Sequence, residues 1–267
     1  MKTNYIATGG KEQTLQTQLD QLERKYERVY LSAYDSVTRK LYVDSIQRSR
    51  LVKVFNVAND AFMNIYVSFG KKHIDSYLGL DIIYRNRNSI PKDSVVLLYK
   101  ALPAFLKNTG NAVALKVFIS ENLVKKGDHF KDFQVLDIQG KPFKLSALKD
   151  KYIYLTFGSL GCGPCRMENK EISKNYDSLS KNVALVNFSL DVNKVEWEAA
   201  AKADGIIWYN VSDMAGMSGK IKTLYGVQAM PTSFLIDKNG IIVEKFDGYS
   251  PDNFKEVERI VSNPHVL

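Results

Sequence analysis

The fold of this 267-residue chain is decided by one stretch of its sequence, residues 152–165, which reads YIYLTFGSLGCGPC. Its first half is almost entirely apolar, which indicates a buried strand. A turn containing glycine follows, and the segment beyond Cys162 and Cys165, to about Leu179, has the pattern of a helix. The two cysteines, two residues apart, therefore stand where a buried strand passes into a helix.

This position favours thiol–disulfide exchange. Unpaired N–H groups and the helix dipole at a helix N-terminus stabilise a thiolate on Cys162, and such thiols titrate at roughly 3.5–7.5. Pro164 suits the first turn because its missing N–H would be unbonded there anyway. Cys165 lies one turn deeper, placed to attack a mixed disulfide formed by Cys162. We expect Cys162 to be the exposed nucleophile and Cys165 the buried resolving thiol.

The cysteine count argues against two other roles for these residues, a structural disulfide framework and a zinc site. The chain has only two cysteines, whereas a disulfide-stapled mini-protein needs more and a structural zinc site needs four ligands. The histidines, His73, His129 and His265, show no ligand spacing toward the pair. We therefore expect no metal and no cofactor, only a redox-active disulfide between Cys162 and Cys165.

Length and charge both predict two domains. Domains run roughly 100–200 residues; residues 1–126 carry a net charge of +9 and residues 127–267 carry −1. The basic residues are scattered among acidic ones, which favours a solvated surface over a nucleic-acid site. We expect a helical N-terminal domain over 1–126 and a second domain over 127–267, with no nucleic-acid partner.

The sequence also predicts the absence of membrane segments. No apolar run approaches the ~18 residues that a membrane span requires. Residues Met1–Tyr5 lack the apolar segment of a signal peptide. We expect neither a membrane span nor a signal peptide in this chain.

The first 126 residues have helical periodicity. Apolar residues recur at spacings of three and four in two long stripes: Leu15, Leu19, Leu22, Tyr26, Val29, Tyr30 and Ala33, then Leu51, Val54, Phe55, Ala58, Phe62, Ile65, Tyr66 and Phe69. We expect Gly70 to close the second helix as its C-cap. Shorter helices are expected over 75–86, 94–107 and 111–123, with a kink at Pro103.

The period changes to that of strands after Gly127. Strands are expected at 133–138, 143–145, 152–157, 183–190, 206–209, 232–236 and 241–246, and helices at 195–203, 219–225 and 251–261. The segment Asp237–Gly240 reads DKNG and predicts a hairpin turn between the last two strands. This order predicts an α/β sandwich with a central mixed sheet.

Six short motifs follow one another in this half: GKPFKL at 140–145, LK at 148–149, CGPCRME at 162–168, YGV at 225–227, MPT at 230–232 and FLID at 234–237. With them, residues 127–263 resemble the thioredoxin-like family, and within it the TlpA/ResA branch of bacterial envelope oxidoreductases. Residues 1–126 resemble more loosely the helical region that precedes this domain in many such proteins of Bacteroidetes. The resemblance implies a thioredoxin-like sandwich preceded by an all-α N-terminal domain.

The resemblance also implies a substrate site. A cis-proline loop lies beside the redox pair in this family, and Met230-Pro231 takes that place here, although on its own the proline would be ordinary at the start of a strand. Met230 then presents its backbone to the substrate chain, next to Pro231, Gly163 and Pro164. The implied setting is the periplasm or cell envelope, with disulfide-bearing client proteins and a membrane thiol electron donor.

Two positions depart from the family pattern. Gly161 stands where thioredoxins usually have a tryptophan before the first cysteine. Thr156 stands where thioredoxin has a buried aspartate used in proton transfer. A carboxylate for that role must therefore come from elsewhere, or the proton goes to water.

Glu168 is the candidate for that carboxylate. It lies three residues after Cys165, on the same face of the predicted helix, and Cys-x-x-Cys-x-x-Glu recurs at the active site of the TlpA/ResA branch. We hypothesise that Glu168 accepts the proton of Cys165 and raises the pKa of that thiol by like-charge repulsion. The alternative is a solvated glutamate that interacts with the helix dipole.

The expected function is that of a protein-disulfide reductase or isomerase, and the Gly-Pro interior of the motif favours reduction by analogy with thioredoxin. One alternative is a peroxiredoxin-like peroxidase, which needs Pro-x-x-x-Thr-x-x-Cys ending at Cys162; residues 154–161 lack that pattern. The other is a non-enzymatic partner-binding module with a redox-sensing pair, against which the intact motif argues.

Overall fold

A computed structural model describes residues 10–148 and 150–263, apart from the side chains of residues 25 and 26. The expectations that concern Met1–Tyr5, the side chain of Tyr26, Lys149 and His265 lie outside the described residues.

The chain divides into two compact units, Met1–Ile119 and Ser120–Leu267. This division falls before the boundary expected near Gly127. The reason is the segment around Val124, which is buried in the core of the second unit and whose N–H donates to the carbonyl of Leu224.

The described part of the first unit is helical. Its α-helices are α1 (Lys11–Thr38), α2 (Ser45–Lys72), α3 (Tyr77–Asn86), α4 (Lys92–Lys100) and α5 (Gly110–Ser120). The long helices α1 and α2 pack against each other. At one end of this pair, Leu15 and Leu19 of α1 share a core with Phe69 of α2 and with Leu78 and Ile82 of α3.

The expected roles of Gly70 and Pro103 are wrong. α2 continues past Gly70, where a Cβ would lie 2.5 Å from Cγ2 of Ile82. The glycine is needed because α3 approaches α2 closely at that point. Pro103 kinks no helix, since α4 ends before it and a separate 3₁₀ turn, Ala104–Leu106, follows it.

The second unit is an α/β sandwich on one seven-stranded mixed sheet, which confirms the expected fold class. Its strands are β1 (Gln134–Asp137), β2 (Pro142–Lys144), β3 (Tyr152–Gly158), β4 (Val183–Ser189), β5 (Tyr209–Ser212), β6 (Thr232–Ile236) and β7 (Ile242–Asp247). Its α-helices are α6 (Gly163–Lys174), α7 (Tyr176–Leu179), α8 (Lys194–Asp204), α9 (Lys220–Leu224) and α10 (Asp252–Ser262). The strand order is β2-β1-β5-β4-β3-β6-β7; β3, β4 and β5 run parallel, and β6 runs antiparallel to β3.

The strand expected over 206–209 is wrong in position. Pairing with β4 begins only at Tyr209, opposite Val186. Ile206 and Trp208 instead pack into the core on one face of the sheet. The apolar run there marks a core contact that precedes the strand.

The central strand β3 alternates between two cores. Ile153, Leu155 and Phe157 enter the core on one face, and Tyr154 enters the core on the other, which also holds Ile172 of α6. Because side chains alternate along a strand, Thr156 shares the face of Tyr154. This face of β3 therefore turns polar as it reaches the redox helix.

Candidate active site

Cys162 and Cys165 form a disulfide at the start of α6, with 5.2 Å between their Cα atoms. Cys162 is the N-cap residue: its Sγ accepts the N–H of Cys165 at 3.2 Å, and its carbonyl accepts the N–H of Arg166. After reduction, the N–H of Cys165 and the dipole of α6 stabilise a thiolate on Cys162. The local geometry thus supports Cys162 as the attacking sulfur.

Both cysteines are buried in the disulfide form, so the expected exposure of Cys162 is not seen there, although Cys162 is the less buried of the two. Cys162 is 9% exposed and Cys165 is 3% exposed, while Gly163 and Pro164 beside them are exposed. At Gly158, the last residue of β3, a Cβ would lie 3.2 Å from Cβ of Cys165 and 3.3 Å from its Sγ. Glycine at 158 therefore lets the resolving cysteine lie against β3, a role that the sequence analysis missed.

The peptide bond between Met230 and Pro231 is cis, as the resemblance implies. Thr232, the next residue, pairs with Phe157 near the end of β3, so this loop and the redox turn lie at the same edge of the sheet. Pro231 is buried and its carbonyl accepts the N–H of Gly248, whereas Met230 is half-buried. Within the described residues, the Met230 backbone makes no backbone hydrogen bond.

Glu168 is buried on α6, with 1% of its surface exposed. Its carboxylate accepts hydrogen bonds from Tyr154 Oη at 2.6 Å, Thr156 Oγ1 at 2.9 Å and Ser233 Oγ at 3.1 Å. The alternative of a solvated helix-end glutamate is therefore wrong. The residue at the vacated acid position, Thr156, instead donates to the carboxylate that α6 supplies.

Three hydroxyls thus surround Glu168, and the sequence analysis missed Tyr154 and Ser233. Burial raises the pKa of Glu168, and hydrogen bonds from Tyr154, Thr156 and Ser233 act in the opposite direction without cancelling it. Burial and the neighbouring Glu168 raise the pKa of Tyr154 well above its usual value. The Tyr154 hydroxyl therefore stays protonated and remains a donor.

A second buried carboxylate, Asp204 at the end of α8, faces the other side of α6. It accepts Nε of Arg166, which directly follows Cys165, and Nδ2 of Asn169 at 3.1 Å. The Asp204 side chain is fully buried and that of Arg166 is 25% exposed. This ion pair fixes the redox helix to α8.

Over residues 10–148 and 150–263, no three His, Cys, Asp or Glu side chains are grouped so that they could hold a metal ion. No helix in the described part of the chain is long and apolar enough to cross a membrane.

The chain is similar to known thiol-disulfide oxidoreductases. The AhpC/TSA family matches residues 126–245. Thiol-disulfide oxidoreductase ResA of Bacillus thuringiensis (strain Al Hakam) is 30% identical over 132 residues, which are 49% of this chain and 75% of the relative. ResA of Bacillus subtilis (strain 168) is 27% identical over 140 residues, 52% of this chain and 76% of the relative. A solved thiol-disulfide oxidoreductase from Bacteroides fragilis NCTC 9343 is 25% identical, covers 50% of this chain and 99% of its own, and has a TM-score of 0.46.

Proposed function

Because the chain belongs to the thioredoxin-like AhpC/TSA family and is a thiol–disulfide oxidoreductase, we propose that it reduces or isomerises disulfides of cell-envelope proteins. The observation that carries the proposal is the Cys162–Cys165 disulfide at the start of α6 with the buried Glu168 behind it. In this proposal a membrane thiol electron donor returns the pair to the dithiol form, and no metal or cofactor takes part.

The reaction begins from the dithiol. The Cys162 thiolate attacks one sulfur of the client disulfide, which forms a mixed disulfide and expels the other client sulfur as a thiolate. Cys165 then loses its proton and attacks Cys162 Sγ, which releases the second client thiolate and closes the Cys162–Cys165 disulfide. The client gains two electrons, the enzyme loses two, and the expelled thiolates take up protons.

Glu168 accepts the proton of Cys165 in this scheme. Both residues lie on one face of α6 and both are buried, so the proton does not have to leave through bulk water. A carboxylate whose pKa is raised by burial is a better base at neutral pH than an ordinary surface glutamate. The negative charge of Glu168 also disfavours the Cys165 thiolate until attack is under way.

In this proposal, client proteins dock at the edge of the sheet where the Met230–Pro231 cis peptide bond lies beside the redox turn. Met230, which makes no backbone hydrogen bond within the described residues, offers its N–H and carbonyl to an extended client segment. The exposed Gly163 and Pro164 form the rest of the surface around Cys162, and the buried Pro231 holds the loop that presents Met230. Gly161 replaces the bulky tryptophan of thioredoxins and leaves this surface open beside the disulfide.

The peroxidase alternative finds no support in the geometry. The Pro-x-x-x-Thr-x-x-Cys pattern ending at Cys162 would put its proline at Leu155 and its threonine at Ser159. Leu155 is fully buried in the middle of β3, between two paired strands, where proline is excluded.

The midpoint potential of the Cys162/Cys165 pair tests the direction of exchange. We expect a value near the thioredoxin potential of about −270 mV, together with catalytic reduction of insulin. A value near about −120 mV, typical of strong oxidants, would contradict the proposal. Trapping tests the roles: Cys165→Ser should accumulate mixed disulfides with clients and Cys162→Ser should accumulate none, whereas equal trapping by both variants would refute the assignment.

A further inference from the structure

An apolar surface lies at the same edge of the sheet as the redox pair, on the loops that follow β4 and β5. Val192, Met214 and Met217 are exposed there, at 68%, 36% and 42%. The Val192 side chain lies on the backbone of Gly216, where a Cβ would be 2.6 Å from Val192 Cγ1. The two loops therefore meet, and the methionines flank the glycine on which Val192 rests.

This surface is tied to the turn that carries the disulfide. The N–H of Leu160, two residues before Cys162, donates to both carboxylate oxygens of Asp191, at 3.0 and 3.2 Å. Asp191 directly precedes Val192. Because β4 is the neighbour of β3 and β5 is the next strand, a chain bound at Cys162 can run onto this surface from the redox turn.

Met214 is held in a conformation that L-residues other than Asn and Asp rarely adopt, with φ at 54°. Its N–H donates to Ser212 Oγ at 2.9 Å, and that hydroxyl donates to the carbonyl of Ser189 at 2.8 Å. The carboxylate of Asp213 accepts the N–H of Ala215 at 3.0 Å. Surrounding contacts thus impose an unfavourable backbone that keeps the methionine at the surface, which is typical of ligand-binding positions.

We propose that Val192, Met214 and Met217 dock apolar residues next to the cysteine of a client protein in an extended, incompletely folded state. The inference rests on the proposed function, because the client must bring its disulfide to Cys162. Unbranched, polarisable methionine side chains adapt to partners of different shape, so this surface suits many apolar sequences. In the sheet, β3, which leads into the redox turn, lies between β4 and β6. The redox turn therefore lies between this surface and Met230, and a client segment bound at both sites passes over the disulfide.

The test compares three disulfide substrates with the full chain. Two are peptides that differ only beside the cysteine, with Leu and Phe in one and Ser and Gly in the other, and the third is the small disulfide DTNB. In the double variant V192T/M214Q we expect kcat/KM for the apolar peptide to fall about tenfold, mainly through KM, because two apolar contacts are lost. The polar peptide and DTNB should react as with the wild type.

Ile207→Thr is the matched control. Ile207 is 71% exposed but precedes β5, at the opposite end of the strand from Met214, so all three substrates should react normally with it. An equal loss on all three substrates in V192T/M214Q, or no loss on the apolar peptide, would overturn the docking surface. A wild type that cannot reduce DTNB would instead refute the proposed function, which keeps the two failures distinct.

Met214→Gly separates the side chain from the fold. Glycine adopts positive φ readily, so this variant should have a higher Tm than the wild type and still lose kcat/KM for the apolar peptide. A variant with wild-type kcat/KM for that peptide would show that Met214 does not determine docking.

Discussion

Two carboxylates are buried against the redox helix α6, and they differ in the groups that surround them. Glu168 accepts hydrogen bonds from three neutral hydroxyls, those of Tyr154, Thr156 and Ser233. Asp204 accepts from the guanidinium of Arg166 and from an amide. Asp204 therefore has a cationic partner, whereas Glu168 is stabilised only by the dipoles of neutral hydroxyl groups.

The difference separates anchoring from proton transfer. A guanidinium balances the charge of Asp204, and removing either partner leaves an uncompensated charge in the interior. Hydroxyls orient Glu168 without neutralising it, so burial keeps its pKa above the usual range. We infer that Asp204 holds α6 in place and that Glu168 is free to take up and release a proton.

Asp204→Ala should have the largest effect on stability. We expect the free energy of unfolding of the oxidised protein to fall by about 3 kcal/mol, at the lower end of the range for a broken buried pair because Arg166 is partly exposed. Urea denaturation measures it. Asp252→Ala is the control, since the Asp252–Lys255 pair is solvent-exposed and its loss should leave the free energy of unfolding nearly unchanged. Equal stability of the two variants would show that Asp204 is no anchor.

Glu168→Gln should act mainly on rate. Resolution of the mixed disulfide should slow about 100-fold, the lower end of the range for loss of a general base, while the first attack by Cys162 stays nearly unchanged. Stopped-flow kinetics with a fluorescent client disulfide separates the two steps. Unchanged turnover and unchanged thiol titrations in this variant would leave Glu168 without a role in the reaction.

The same substitution should change how stability depends on pH. The folded-state pKa of Glu168 is raised, so the wild type loses stability as the pH rises from the unfolded pKa, about 4.3, through the folded value. Glu168→Gln cannot ionise and should not show this loss. The variant should therefore gain stability relative to the wild type as the pH rises from mildly acidic to neutral. A difference in free energy of unfolding between the two proteins that stays constant over this interval would contradict the raised pKa of Glu168.

The parts of the site that the sequence predicted depend on local patterns. A buried strand running into Cys-Gly-Pro-Cys places Cys162 at a helix N-terminus, and the spacing to Glu168 is set by one turn of that helix. The group of hydroxyls around Glu168 depends on strand register instead. Thr156 of β3 pairs with Ser233 of β6. Because these residues are far apart in sequence, no local sequence pattern predicts their pairing.

The errors in the helical unit and at β5 have the same physical origin. Gly70 has the sequence features of a helix C-cap, yet it serves a close contact with Ile82 of another helix. Ile206 has the apolar character of a strand residue, yet it fills a core position before the strand begins. In both cases tertiary packing decides between two local interpretations that the sequence alone leaves equal.

Tyr154→Phe should have the smallest effect and addresses how the hydroxyls tune Glu168. Loss of the 2.6 Å hydrogen bond removes a donor that stabilises the carboxylate, so the pKa of Glu168 should rise further. Resolution of the mixed disulfide requires the carboxylate, so the acid limb of its pH–rate profile should move to higher pH, with an unchanged rate at high pH. Tyr152→Phe, on the same face of β3, is the matched control and should leave the profile in place. A uniform loss at every pH in Tyr154→Phe would mean that the ring supports the fold of the site, and the comparison between Glu168 and Asp204 would then rest on burial alone.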